Sequence, residues 1–438
     1  MPNSRFKIII TANSLLTLSK IAIERKIFVT EKEFAEKIFN EGGRAYLVGG
    51  AVRDKIRGIK PHDKDYCLTG MTEEQLRKIF PAAQKFGKSF PVYSVDIDGK
   101  HCEVALARTE RKVGRGYRGF KVNFDSTVTI EDDLFRRDTT INAMAIDILS
   151  GELIDPFGGY DDVKNKKIRA VSQHFTDDPV RALRAARQSA QFDFDIVDET
   201  FDAMNLCAFE LKDEAGERIF GELEKALKTN KPSKFFRSLE RAGLLSVTFP
   251  EIDNLRGKTQ PVEFHPEGDA YEHTMQIVDK VAAVNKSPKV RFAALAHDLG
   301  KGTTPLEMLP HHYQHEQRGL KVLQEMDERI HLPNDWKKLA AFVIREHMRA
   351  AIITAPEKIV DLLIKLHNAK ILPRDFCDII NADHNSLPLY LFNSEKIIAE
   401  LLKIGGKDAP PELKGVEIGN YIRQVRIRKF VELNINAL

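Results

Sequence analysis

The chain has 438 residues, of which 42% are hydrophobic and 30% charged, and a formal net charge of +3. That length exceeds the roughly 250–300 residues one core can serve and predicts two to four domains, while the near-neutral charge excludes nucleic-acid binding by overall basicity, so any basic surface must be local. The four scattered cysteines (Cys67, Cys102, Cys207, Cys377) contain no Cys-x-x-Cys pair, which fits a reducing cytoplasm, and no apolar run reaches the roughly 18 residues of a membrane span.

The first segment, MPNSRFKIIITANSLLTLSKIAIERK, has no acid before Glu24 and carries Arg5, Lys7, Lys20, Arg25 and Lys26. It reads as a plain extension or as a weak organellar presequence. A short helix is expected next in TEKEFAEKIFNEGG, with Thr30 as its cap, Phe34, Ile38 and Phe39 as its apolar face, and Gly42-Gly43 as its stop. The strand AYLVGG then runs into Gly49 and Gly50, with a helix from about Ala51. Such a turn leaves backbone N–H groups for a phosphate, and Arg53 adds a charged fork. An ordinary strand-to-helix turn would look the same.

If HDKDYCL is a strand, Asp63 and Asp65 share a face. Paired carboxylates suit hard divalent cations such as Mg²⁺, and Glu103 in HCEVALAR is a candidate third acid. A solvated acidic loop is the alternative. With PVYSVDID and AMAIDIL also strand-like, residues 30–160 read as a mixed α/β domain. Between these strands, ARTERKVGRGYRGFK holds Arg108, Arg111, Lys112, Arg115, Arg118 and Lys121 among glycines. That composition suggests a mobile loop contacting RNA or a triphosphate, or one that is merely solvated. In EDDLFRRDTTINAMAID, Arg136 and Arg137 could clamp a triphosphate or pair with Glu131 and Asp132.

From Pro179 the pattern is almost wholly helical. TDDPVRALRAARQ places Asp178, Arg181 and Arg184 along one stripe, and Asp178 before Pro179 is also a good helix cap. The polar stretch GKTQPVEFHPEGDAYEHT suggests a boundary near residue 260. Beyond it, His273, His297-Asp298 and Asp383 form a mixed His/Asp set suited to Mn²⁺, Ni²⁺, Co²⁺ or Mg²⁺. His311, His312, His315 and His347 are further candidates for that pocket, the first two more in keeping with solvated positions. IGGKDAPPELKG marks a loop, and YIRQVRIRKF is a second RNA-facing surface or an ordinary amphipathic helix.

Taken in order, LVGGAVRD…GIKPHDKD, RRDTTINAM, DPFGG, DDPVRALRAAR and ERIFGELEKAL closely resemble the class II tRNA nucleotidyltransferases, the CCA-adding enzymes, especially the bacterial form with an HD domain. The resemblance implies an α/β nucleotidyltransferase head (44–160), an all-α neck and body (161–260), an α-helical HD domain (261–400) and a basic helical tail (401–438), behind an extension with a short helix (1–43). It implies that Asp63 and Asp65 hold catalytic Mg²⁺, that Gly50, Arg53 and Arg137 bind the triphosphate, and that Asp178 and Arg181, supported by Arg184, read CTP or ATP; Glu103 stays the candidate third catalytic acid. Arg111, Lys112, Arg115 and Arg118 are RNA-contact candidates. The tRNA 3′ hydroxyl would attack the α-phosphate, releasing pyrophosphate. His273, His297, Asp298 and Asp383 would hold a divalent metal such as Ni²⁺ or Mn²⁺ for 2′,3′-cyclic phosphodiesterase and phosphatase activity. The expected enzyme is cytoplasmic, a monomer or homodimer, with tRNA, CTP and ATP as partners and no membrane. Poly(A) polymerases and C- or A-adding enzymes share the catalytic motifs, and an HD phosphohydrolase with an RNA-binding N-terminal half is a rival of another class. Asp177, Thr139 and Gln188 depart from the usual residues, as does ADHNSL, where Gly-Arg commonly follows the late Ala-Asp.

Overall fold

The computed structural model describes residues 29–87, 91–114 and 119–433. The chain divides near Lys164 and Asn165 into two compact units.

The first unit opens with α1 (Glu31–Asn40), started by a reciprocal capping box between Thr30 and Glu33. Phe34, Ala35 and Ile38 are its buried residues, and the Phe34 ring packs 5.3 Å from Tyr66 and 5.4 Å from Phe80. Phe39, expected on that face, is 55% exposed. A helix this short buries one narrow stripe, and Phe39 falls outside it. The unit continues through β1 (Arg44–Val48), α2 (Gly50–Ile56), β2 (Asp65–Thr69), α3 (Glu73–Ile79), β3 (Gln84–Phe86), β4 (Val92–Ile97) and β5 (Lys100–Leu106). A hairpin of β6 (Thr109–Lys112) and β7 (Phe120–Asn123), then α4 (Ile130–Phe135), β8 (Ala145–Asp147), β9 (Leu153–Ile154) and α5 (Gly159–Lys164) complete it.

Among the described residues, seven strands form one mixed sheet in the order β3-β4-β5-β2-β1-β8-β9. Only β2 and β5 pair in parallel within it, and their register sets Asp65 opposite Glu103. On the other side of β2, Asp65 lies opposite Val48, the last residue of β1. The glycine turn and the acidic residues therefore meet on one side of the sheet, where β1 ends and β2 begins beside the middle of β5.

Among the described residues, the regular structure of the second unit is helical apart from a two-residue parallel pair, β10 (Lys167–Ile168) with β11 (Asp195–Ile196), and an isolated bridge between Thr259 and Asp269. Its principal helices are α6 (Val180–Phe192), α7 (Asp198–Leu206), α8 (Gly216–Leu227), α9 (Ser233–Arg241), α10 (Ala270–Val284), α11 (Pro288–Ala296), α12 (His315–Ile330), α13 (Asn334–Ile352), α14 (Pro356–Asn368), α15 (Pro373–His384), α16 (Ser394–Leu402) and α17 (Val416–Glu432). Phe235, Phe236 and Phe249 are fully buried, with ring centroids 5.2–6.0 Å apart. Arg291, also buried, donates to the carbonyls of Leu227 (2.6 Å), Thr229 (2.7 Å), Ala282 (2.9 Å) and Asn285 (2.7 Å). These carbonyls lie at the C-terminal ends of α8 and α10, where the helix itself supplies no donor. Among the described residues no helix is long and apolar enough to cross a membrane.

Candidate active sites

Gly49 has φ +67°, a region costly for any residue with a Cβ, and α2 begins at the next residue. Its N–H donates to Met144 O at 3.3 Å, so that group is engaged within the sheet. A Cβ at Gly49 would lie 3.1 Å from Arg137 Nη1, and one at Gly50 would lie 3.3 Å from an Arg53 guanidinium nitrogen. The two glycines let both arginines come down onto the backbone.

Those guanidinium groups share one anchor. Asn142 accepts from Arg53 Nη1 through its side chain (2.6 Å) and from Arg137 Nη1 through its main-chain carbonyl (3.3 Å). Its amide in turn donates to Asp138 (3.3 Å). Asp133, 1% exposed, receives Arg136 on one oxygen (2.6 Å) and Arg137 on the other (3.0 Å). The expected partners Glu131 and Asp132 are not the ones used: Asp132 closes a capping box with Thr129. Burial works against the Asp133 carboxylate, yet Arg136 and Arg137 outweigh it and hold its pKa down at about 2.

The strand carrying the acidic pair begins at Asp65, not at His62. Asp63 lies in the preceding bend with an 84% exposed side chain, 2.9 Å from His62 Nδ1. Pairing with β1 and β5 begins only at Asp65, so Asp63 lies outside the strand and the two aspartates do not share a strand face as expected. Burial, then Glu103 beside it and Asp63, push the Asp65 carboxyl up, against the pull of Arg137. Crowded oxygen donors with unmet negative charge are what a hard divalent cation offsets, so these residues fit Mg²⁺.

In the second unit Asp178 both caps and binds. Its Oδ1 accepts from the Val180 N–H at 3.2 Å, and Arg218 Nη2 donates to its two oxygens at 2.9 and 2.8 Å. Arg181 is buried and donates to His174 O at 2.6 Å, whereas Arg184 is exposed. Arg218 stands on α8, inside the ERIFGELEKAL motif that carries part of the resemblance, but nothing in that motif pointed to a contact with Asp178.

The His/Asp set converges tightly. His273 Nε2 lies 3.0 Å from Asp383 Oδ1, and His297 Nε2 lies 3.1 Å from Asp298 Oδ2. His315 and His347 Nε2 lie 3.3 and 3.4 Å from Asp298 Oδ1, which adds both to the cluster. The Nδ1 atoms of His297, His315 and His347 face the carbonyls of Ala294 (2.7 Å), His312 (2.9 Å) and Val343 (3.1 Å). A carbonyl only accepts, so each Nδ1 carries a proton, and each Nε2 is the ring atom left to face the cluster. His297 Nε2 and Asp298 Oδ1 are wholly buried and make these contacts without a well-aligned hydrogen bond. Burial opposes a charged His297, but Asp298 and Asp383 prevail and push it up to about 9. A field that draws a proton so strongly also draws a metal ion, and the mixed N/O donors fit a divalent transition metal.

Glu267, which faces His273 Nδ1, and His265, whose ring lies 4.6 Å from that of His273, come from the polar stretch read as a boundary. That stretch is folded: Thr259 bridges Asp269, which caps α10. Lys301 adds a buried ammonium 2.7 Å from Asp298 Oδ2. His312, expected to be solvated, uses both ring nitrogens, on the Thr304 hydroxyl (2.9 Å) and Thr259 O (3.0 Å). His311 is exposed and stacks on Tyr313.

The expected basic loop is partly a hairpin, with Arg111 opposite Lys121. Arg111 is exposed and Lys112 half-buried, while Arg108 pairs inward with Glu110 at 2.9 Å. Arg115 and Arg118 lie outside the described residues. On α17, Arg423 pairs with Asp361 (2.7 Å) and Arg426 donates to the Leu401 and Ile404 carbonyls (3.0 and 2.8 Å), so these two charges are spent on packing.

The Poly A polymerase head domain family matches residues 45–169, the probable RNA and SrmB-binding site of polymerase A residues 193–256, and the HD domain residues 270–374. A multifunctional CCA protein of Acinetobacter baumannii is 39% identical over 407 residues, covering 89% of this chain and 97% of its own. One from Methylobacillus flagellatus is 45% identical over 307 residues, covering 69% and 74%. Among solved structures, the Bacillus stearothermophilus CCA-adding enzyme in complex with CTP is similar at TM-score 0.60 and 23% identity, covering 91% of each chain. The Thermotoga maritima CCA-adding enzyme complexed with tRNA-CCA is similar at TM-score 0.59 and 21% identity, covering 95% of each.

Proposed function

The chain belongs to the multifunctional CCA protein family, and on that premise we propose that it builds or repairs the 3′-terminal CCA of tRNA from CTP and ATP, with Asp63, Asp65 and Glu103 as its catalytic carboxylates. The observation that carries this assignment is the register of the head sheet, which sets Asp65 beside Glu103 on one side and beside the end of the glycine-bearing strand on the other. The tRNA 3′ hydroxyl attacks the nucleotide α-phosphate and pyrophosphate departs. Mg²⁺, when bound by these carboxylates, supplies charge neutralisation and a more acidic hydroxyl. Gly50 gives the triphosphate room, and Arg53 and Arg137, held by Asn142, present guanidinium groups to it.

Asp178 and Arg181 choose the base, with Arg184 in support. A carboxylate has about four acceptor directions, so Asp178 keeps capacity for the amino group that cytosine and adenine share. Uracil and guanine leave that pattern unmet. Arg111, Lys112, Arg115 and Arg118 contact the RNA backbone. In the HD site, His273, His297, Asp298 and Asp383 hold a divalent metal such as Ni²⁺ or Mn²⁺ and support hydrolysis of 2′,3′-cyclic and terminal phosphates. Both reactions serve tRNA in the cytoplasm.

The test is incubation with tRNA lacking CCA and labelled CTP and ATP, followed by sequencing of the product end. Addition of C, C and A is expected, with none from an Asp63→Ala, Asp65→Ala double variant. Long A tails on generic RNA, or CTP incorporation by the double variant, would overturn the reading.

A further inference from the structure

Lys64 stands between the two proposed catalytic aspartates, and its ammonium is held elsewhere. Its Nζ donates to Glu31 Oε1 at 3.0 Å and lies 3.8 Å from Asp98 Oδ2. The Tyr66 hydroxyl donates to the same Glu31 oxygen at 2.7 Å. One carboxylate oxygen thus grips the residues on both sides of Asp65.

Glu31 is itself firmly placed. It is the first residue of α1, whose start the Thr30–Glu33 capping box fixes, and its N–H donates to Asp98 Oδ1 at 3.2 Å. Asp98 N–H donates to Val29 O at 2.9 Å, and Val29 bridges Ile97. The Phe34 ring, one turn along α1, packs on Tyr66. By contrast the bend before Asp65 is open to solvent, with the Asp63 side chain 84% exposed. The gripping residue lies outside the Poly A polymerase head match, which begins at residue 45.

We infer that Glu31 is a positioning residue for the transfer reaction: through Lys64 and Tyr66 it sets the bend that presents Asp63 and Asp65, and it keeps the Lys64 ammonium from serving as their counter-ion. The inference rests on the assignment of those aspartates to nucleotide transfer. Without the grip, Lys64 competes for the carboxylates that a divalent cation would use, and the carboxylates themselves are less ordered.

The experiment measures two quantities over a Mg²⁺ series: CTP incorporation into tRNA lacking CCA, and calorimetric binding of an unreactive CTP analogue. Glu31→Ala is expected to raise the half-saturating Mg²⁺ in both about tenfold, the lower end of what loss of a group supporting metal ligands costs, with KM for tRNA unchanged. Glu31→Gln, whose amide oxygen still accepts, restores most of the wild-type curve. Tyr66→Phe keeps the ring, removes one of the two grips and gives an intermediate shift, so it decides the matter if Glu31→Ala does not fold. Superimposable Mg²⁺ curves for active wild-type and variant proteins would overturn the inference alone. A wild-type protein that incorporated no CTP and bound the analogue without regard to Mg²⁺ would overturn the transfer reading together with it.

Discussion

Asp133 is where burial and charge oppose each other most sharply in the head. Its folded pKa of about 2 lies below the model-peptide range, so its ionised form stabilises the fold above pH ~4, and that contribution fades as pH falls towards 2. The difference corresponds to roughly 2 kcal/mol, and acid unfolding followed by circular dichroism should lose that increment in Asp133→Asn between pH 4 and 2. At pH 7 the same variant leaves Arg136 and Arg137 without their shared carboxylate, a loss of about 3–5 kcal/mol for a broken buried pair, read as a lowered denaturant midpoint. Helical spacing allows the choice of Asp133, since Arg136 and Arg137 stand three and four residues on. Spacing alone did not single it out, since Asp132 also stands four residues before Arg136; the Thr129 capping box takes up Asp132 and leaves Asp133 to the arginines. Gly49→Ala should cost about 1–3 kcal/mol from its positive φ and press on Arg137, so thermal melts fall and KM for CTP rises together.

At the scale of elements, the sequence displayed what one helix face or one strand carries and concealed what distant elements exchange. Asp178, Arg181 and Arg184 lie on consecutive turns and were readable from their spacing. Arg218, 40 residues from Asp178 in sequence, was not, because no periodicity links the start of α6 to α8. Arg218→Met should release the Asp178 carboxylate, raise KM for CTP and ATP about tenfold, and leave KM for tRNA unchanged in steady-state assays. Likewise the start of β2 depended on pairing with β1 and β5, which alternation alone does not reveal. Glu267 was hidden by composition: a Pro- and Gly-containing stretch looks like a linker, yet this one delivers a carboxylate to His273.

Across the whole molecule, the two proposed chemistries draw on separate residue sets: the carboxylates proposed for transfer lie in the first unit, while Asp178 and Arg181 belong to the second unit, as does the His/Asp cluster. Asp298→Ala should abolish hydrolysis of a 2′,3′-cyclic phosphate while CTP incorporation stays within about twofold, and Asp65→Asn should do the reverse, a loss of about 100-fold or more in incorporation. Parallel assays on one preparation check both. The late departure ADHNSL leaves the Asp383 carboxylate within the His/Asp cluster, 3.0 Å from His273.

Arg291 bears on how far the protein can be taken apart. The RNA-binding and HD matches end and begin at residues 256 and 270, which makes them look like interchangeable cassettes. One guanidinium nevertheless closes the end of a helix in each, taking Leu227 and Thr229 from the first and Ala282 and Asn285 from the second. A cut between the two matches would strand buried carbonyls on one side and a buried cation on the other, at a cost of several kcal/mol. The HD portion is thus grafted into the fold of the segment before it, and a designer who wished to swap it would have to redesign both halves of that graft.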